Sequence, residues 1–431
     1  MLDLLSVELV ENITDFLDRQ DLFALRLACR YLNEATQATF ATAWFGTVET
    51  DLSPRSFRRL KEIAQHEKIR LFVRKLRTAE QEKDLRLRPL GLGHDWPHLE
   101  SGSLDLTSGT VKEFHDAISG FANCTTLEVD DSRCVHRGEP GPDPGLAPAD
   151  ALDLFLSVVA LEHRPLQVRS VCINFEYSYS SIDDKQLSPS TINFDTFRAS
   201  WSSSLEHLSI CWEIGDAAAE GVLELILAAT RLRTLFLKFN ISESASHVFL
   251  GLAQAPTVAP VTHLRLGRMI DVSVTTLGDA ILRFKDSLKS LHIANVCIER
   301  GDWSDFFEYI GRQEFPRLEC VTTWKVSAPP GPRTPGARPV CFCPLRTRQE
   351  TLRKCGGTFE FALGHLRNRT RVRGVRYRGP REGMQLALKA LGEDSNYMLQ
   401  RSNGPPTPEW PDMREYTGDQ VGRVVSENLM Y

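Results

Sequence analysis

The sequence predicts a mixed α/β protein. A small helical N-terminal unit leads into strand–helix repeats stacked as an irregular solenoid, closed by a helical C-terminal cap. Three observations carry that expectation. Apolar residues between positions 5 and 32 recur at three- and four-residue spacings. A short apolar pattern returns at a near-constant interval through the middle of the chain. Two stretches rich in proline and glycine, 136–150 and 327–344, interrupt the order.

Leu5, Leu9, Val10, Ile13, Phe16 and Leu17 fall at helical spacing, and Asp18-Arg19-Gln20-Asp21 breaks the pattern. Asp21 is placed to cap a second helix carrying Leu22, Leu25, Ala28, Cys29 and Leu32, with Phe23 and Leu27 on a neighbouring face. Two helices of this size cannot hide both stripes, since units below about 40 residues rarely stand alone. The surplus apolar surface must dock on the rest of the chain or on a partner.

Leu5-Ser6-Val7-Glu8-Leu9, Ile13, Phe16-Leu17, Asp21-Leu22, Leu25-Arg26-Leu27 and Cys29-Arg30-Tyr31 resemble the F-box motif. The resemblance implies that residues 1–45 form a three-helix-type hook that binds the Skp adaptor, and through it the cullin, of a cullin-RING ubiquitin ligase. It places Leu5, Val7, Leu9, Ile13, Leu17, Leu22, Leu25, Cys29 and Tyr31 at the adaptor contact. Ser6 departs from the pattern, because that position is usually proline, which presets the first turn where serine can cap it. Read without the resemblance, the same residues are two core helices opening a larger domain.

Residues 46–120 read as a helical linker with a first strand. Ser53-Pro54 starts a helix with Phe57, Leu60, Ile63 and Ala64 on its apolar side; Val73, Leu76 and RKLRT form the strand, and a helix is expected near 110–122. Residues 121–326 hold the repeats, beginning with strands at TTLEV (125–129) and VRSVCI (168–173). SLEHLSI, RLRTLFL, VTHLRL, SLKSLHI and RLECVTT then align, and their first apolar residues, Leu205, Leu232, Val261, Leu288 and Leu318, lie 27, 29, 27 and 30 residues apart. Apolar helical segments separate these strands, so each unit is a strand followed by a helix. This period resembles the leucine-rich repeat, without its regular asparagine ladder. Units of this kind bury their faces only by stacking, which gives a solenoid rather than a generic parallel α/β domain.

Residues 327–350 form a Pro/Gly-rich loop; Thr351 to Leu366 and Arg381 to Leu391 read as capping helices within 351–400, and 401–431 as a partly disordered tail. The layout, including YRGPREGMQLALKALGEDS (377–395), resembles the large F-box families of filamentous fungi with irregular repeats.

A hydrophobic fraction of 42%, a charged fraction of 25% and a net charge of -5 are ordinary for a soluble chain, and exert no overall pull toward nucleic acid or anionic membrane. The acidic start is no secretory signal, and no apolar run is long enough to span a bilayer, so an intracellular location, cytoplasmic or nuclear, is expected. Ten scattered cysteines fit a reducing compartment. No catalytic signature is present, and no cofactor or metal is expected. Cys341 and Cys343, with Cys355 and His365, match no standard zinc spacing.

Two surfaces remain for recognition. The strand residues alternating with the buried ones put His207, Trp212, Arg233, Phe236, Lys238, His263, Arg265, His292 and Trp324 forward as candidates for contact with an unknown target protein. The stretch 365–381, with seven arginines and no acid, suits a phosphorylated or acidic partner if it is extended. If helical, it is a solvated surface. The expected function is that of a non-catalytic substrate receptor in an SCF-type ligase. The alternative is an interaction scaffold whose first helices merely cap the solenoid.

Overall fold

The computed structural model describes residues 5–78, 90–130, 146–161, 166–175, 194–212, 216–239, 245–328, 338–340, 355–366, 369–401 and 423–425. The chain divides after Leu205 into two compact units, each mixed α/β with a mostly parallel sheet.

The first unit opens with four short helices, α1 (Val7–Thr14), α2 (Arg19–Ala28), α3 (Arg30–Ala35) and α4 (Gln37–Phe45). The cap of α2 is Asp18 rather than Asp21: its carboxylate accepts from the Gln20 and Asp21 backbone N–H groups at 2.8 and 2.9 Å. Cys29, with an extended backbone, separates α2 from α3. Strands β1 (Thr47–Thr50), β2 (Lys75–Thr78), β3 (Thr126–Asp130) and β4 (Ser170–Phe175) pair in parallel, in chain order. Their crossovers carry α5 (Pro54–Gln65), α6 (Gly109–Ser119) and α7 (Pro148–Ser157), and α8 (Phe194–Ser204) ends the unit. Ser53 caps α5 with Pro54 just inside, as the sequence predicts. Val48, Leu76, Leu127 and Val171 stand in register across the four strands, and all are buried.

The second unit repeats that plan. Strands β5 (His207–Trp212), β6 (Thr234–Phe239), β7 (His263–Val272), β8 (Ser290–Ile298) and β9 (Cys320–Trp324) are parallel and sequential. Between them lie α9 (Asp216–Ala228), α10 (Ala245–Gln254), α11 (Val274–Leu282) and α12 (Trp303–Gly311). His207, Thr234, His263, Ser290 and Cys320 are successive register partners, so pairing runs at the same 27-, 29-, 27- and 30-residue offsets as the apolar pattern. Leu208, Leu235, Leu264, Leu291 and Val321 form the buried ladder. Because the strand order never reverses, crossovers of one hand put every helix on the same side of the sheet. The opposite side is bare of crossover helices.

A second repeating feature is invisible in the apolar pattern. Arg268, Asn295 and Lys325 adopt the left-handed conformation, with φ of 48°, 56° and 49°. Each directly follows one of the register partners Gly267, Ala294 and Trp324. A left-handed residue skips one step of the alternation: buried positions run Leu264, Leu266, then Met269, and Leu291, Ile293, then Val296. β7 and β8 bend together and stay paired, Met269 opposite Val296.

The C-terminal region corrects one expectation. Within Thr351 to Leu366, read as helix, the described part forms strand instead. After the short β10 (Ser327–Ala328) and β11 (Arg338–Pro339), β12 (Thr358–Leu366) and β13 (Arg369–Arg378) make an antiparallel hairpin whose second strand pairs with β9. α13 (Arg381–Arg401) includes the expected helix and buries Met384, Ala387, Leu388 and Leu391, with Leu388 beside Gly311 of α12. The short β14 (Arg423–Val425) pairs with β12. Most of the 136–150 and 327–350 loops and of the tail lies outside the described residues.

Candidate functional site

The first three N-terminal helices share a small core of their own. Val10, Leu32 and Ala35 are its buried centre, with Leu5, Leu25 and Tyr31 packed against it. The Tyr31 hydroxyl donates to the Leu5 carbonyl and ties the start of the chain to α3. Arg26 donates to Gln37 Oε1 at 3.0 Å and lies over the Phe40 ring, which holds α2 to α4.

This arrangement sorts the nine sequence-predicted adaptor residues. Val7, Leu9, Ile13 and Cys29 are exposed; Leu5, Leu17, Leu25 and Tyr31 are half-buried. Leu22 is a correction: at 2% exposure it belongs to the interior, because α2 turns that side toward α4 and away from solvent. Phe16 at 90%, Leu27 at 73% and Phe23 are exposed apolar residues that the nine did not include. Their signal was present, since Phe23 and Leu27 are four residues apart on a helix and so share a face. Of the ten large apolar side chains exposed among the described residues, six lie between Val7 and Leu27. Exposed apolar side chains in that number, beside a core that is already formed, leave apolar surface that this unit does not bury itself.

The strands of the second unit carry the other nine candidates, most of them on its bare face. His207, Arg233, His263 and Arg265 are exposed, and Phe236, Lys238 and His292 are half-buried. Trp212 and Trp324 are corrections, since both are fully buried. Trp212 has the parity of Leu208 and Ile210 and points into the core. Trp324 lies on the bare face but packs on its register partner Gly374 of β13. With Cys211, Ala294 and Gly267 also buried, the strand ends on this face are covered. The accessible part lies in two rows nearer the strand starts, in which Thr322 is buried.

The second of those rows is Ser209, Phe236, Arg265, His292, Thr322 and Arg376, all in cross-strand register. Arg376 Nε donates to Thr322 Oγ1 at 3.3 Å. Burial, then the charges of Arg265 and Arg376, push the His292 imidazole down to about 4, so it is neutral near pH 7. The arginine stretch is therefore extended as β13, with its Arg376 in this row and exposed Arg378 in the one before.

The first unit's sheet has the opposite electrostatic character. Arg77 ion-pairs with Asp130, with Glu128 at 2.8 Å and with Glu49 at 3.7 Å, while Lys75 pairs with Glu128. Asn174 Nδ2 adds a 3.1 Å bond to Asp130. These charges neutralise one another within the sheet.

Cys341 and Cys343 lie outside the described residues. Cys355 is buried, and burial pushes its thiol up. Among the described residues, no group of three or more His, Cys, Asp or Glu side chains is placed to hold a metal, and no helix is long and apolar enough to cross a membrane. No protein-family model matches the chain, and no curated protein matches it.

Proposed function

We propose that the chain is a substrate-receptor subunit of an SCF-type cullin-RING ubiquitin ligase: an F-box-like hook docks the Skp adaptor, and leucine-rich-repeat-like strands hold a target protein. The observation that carries this reading is the exposure of Leu9, Ile13, Phe16, Phe23 and Leu27, on or just beyond helices whose own core is already filled by Val10, Leu32 and Ala35. A pure capping role would bury those side chains against the chain itself. Ser6 at the position usually held by proline does not disturb the hook, because its φ of -67° is the angle proline imposes.

The chemistry is proximity. The protein supplies orientation and effective concentration, bringing the target near the ligase's ubiquitin-loaded enzyme, and makes no bond itself. Capture of the full-length protein by purified Skp adaptor tests this, with the Leu9→Asp, Ile13→Asp double variant as control. Capture by the intact protein and loss in the variant are expected. Absence of capture by either would leave an interaction scaffold as the better description.

A further inference from the structure

We propose that the helix side of the first unit binds a carboxylate-rich segment of a protein partner, through the exposed arginines Arg55, Arg58 and Arg59 of α5. This surface lies on crossover helices, away from the bare face of the strands, and the proposal does not depend on the ligase reading.

Charge is concentrated here against the balance of the chain. Between positions 54 and 77 stand nine lysines and arginines and two glutamates, in a protein of net charge -5. The structure divides the nine into two groups. Lys61 pairs with Glu113 of α6 at 2.5 Å, and Lys75 and Arg77 pair with Glu128 across the sheet. Arg55, Arg58, Arg59, Lys68, Arg70 and Arg74 have no side-chain ion pair or hydrogen bond among the described residues. All but Arg70 are exposed.

The arginines of α5 do not serve its stability. Ser56, Phe57, Leu60, Ile63 and Ala64 are the buried side of the helix, so Arg55, Arg58, Arg59 and Glu62 share the opposite side. Arg55 stands three residues before Arg58 and four before Arg59, spacings at which like charges repel. The first turn of α5 holds no acid, and the helix dipole disfavours cations there. Glu62 follows Arg58 by four residues, yet it pairs with neither Arg58 nor Arg59. A cluster that works against its own helix, with no counter-charge among the described residues, is complementary to anions supplied by a partner.

Two features favour carboxylates on a protein segment over a phosphate polymer or an anionic bilayer. Glu62 stands beside the arginine cluster and Glu67 directly before Lys68, so a uniformly negative backbone or surface meets repulsion. A peptide can place a neutral or basic residue there instead. The exposed side of α5 also carries no aromatic ring on which a base could stack, since its one aromatic residue, Phe57, is buried. Side chains three and four apart on a helix lie about 5–6 Å from one another. Alternate residues of an extended segment are about 6.6 Å apart. Acids at every second position of such a segment therefore meet successive arginines, each able to grip a carboxylate with its fork of donors.

The test is fluorescence anisotropy on the full-length protein. The probes are a labelled Glu-Ser repeat peptide, its Gln-Ser counterpart and a labelled uridine oligonucleotide, with sedimentation on vesicles of phosphatidylserine and phosphatidylcholine in equal parts. The Glu-Ser peptide should bind roughly tenfold tighter than the Gln-Ser peptide, as expected of three exposed charge pairs, and the preference should shrink as salt rises. Replacing all three arginines, Arg55→Gln, Arg58→Gln and Arg59→Gln, should erase it. Arg312→Gln, at an exposed ion pair on α12, should leave it unchanged. Glutamine keeps the helix propensity and removes the repulsion, so the triple variant should melt no lower than the wild type. Equal binding of the two peptides, or a preference that survives in the triple variant, would overturn the proposal. So would a lower melting midpoint in that variant, which would return the arginines to a role in the fold. Tighter binding of the oligonucleotide or the vesicles than of the Glu-Ser peptide, lost in the triple variant, would assign the surface to that polyanion instead.

Discussion

Gly374 is the register partner of Trp324, and a β-carbon at Gly374 would clash with the Cε3 edge of the Trp324 ring and lie 2.9 Å from the Thr323 carbonyl oxygen. The contact seats β13 against β9 and covers one end of the bare face. Gly374→Ala should therefore destabilise the second unit by about 1–3 kcal/mol, the usual cost of overpacking. A thermal melt checks it, and an unchanged midpoint would mean that the indole gives way freely.

Thr323 stands in the ladder position held by Ile210, Leu237, Leu266 and Ile293 in the four preceding strands. It is fully buried, and its hydroxyl has no hydrogen-bond partner among the described residues. Valine has the same shape without the polar atom. Thr323→Val should stabilise the protein by about 1 kcal/mol, since an unsatisfied buried hydroxyl costs about 1–3 kcal/mol. Denaturant unfolding would show a higher midpoint at unchanged slope, and a lower midpoint would reveal a role for the hydroxyl.

His292 makes stability depend on pH in a definite direction. Its folded-state pKa, about 4, is depressed below the ordinary value near 6.5, so the unfolded chain takes up the proton first. The stability held above about pH 6.5 is lost as pH falls toward about 4, and the loss levels off below that. Asp153, raised by burial and then by the charge of Asp150, acts in the opposite sense. The His292 share is thus read as the difference between wild type and His292→Gln. An NMR titration midpoint near 6.5 would show a solvated imidazole instead.

Much of the candidate surface was legible because it follows from alternation. His207, His263 and Arg265 lie between ladder residues and are exposed as two-residue periodicity requires. Trp212 failed the same test, being two residues beyond Ile210 and so on the core side. Trp324 passed it and is still buried, because the residue opposite is a glycine that the indole can cover. That pairing joins strands 50 residues apart in sequence, Trp324 with Gly374, and no local pattern announces it.

What the sequence alone determined is the repeat. A constant apolar interval means a constant crossover length, and parallel strands joined by equal crossovers pair at that offset, as His207, Thr234, His263 and Ser290 do. Tertiary structure alone decided which charges remain available and where the array stops. Arg77 is neutralised because Glu128 and Asp130 come to it across the sheet, while Arg265 meets no acid on either neighbouring strand. The arginine-rich stretch became a strand, flanked by β9 and β12, rather than a helix because β9 presented it with unpaired backbone groups. Local spacing encodes repetition; charge balance and edge pairing depend on which distant segments meet, and that is settled only when the chain folds.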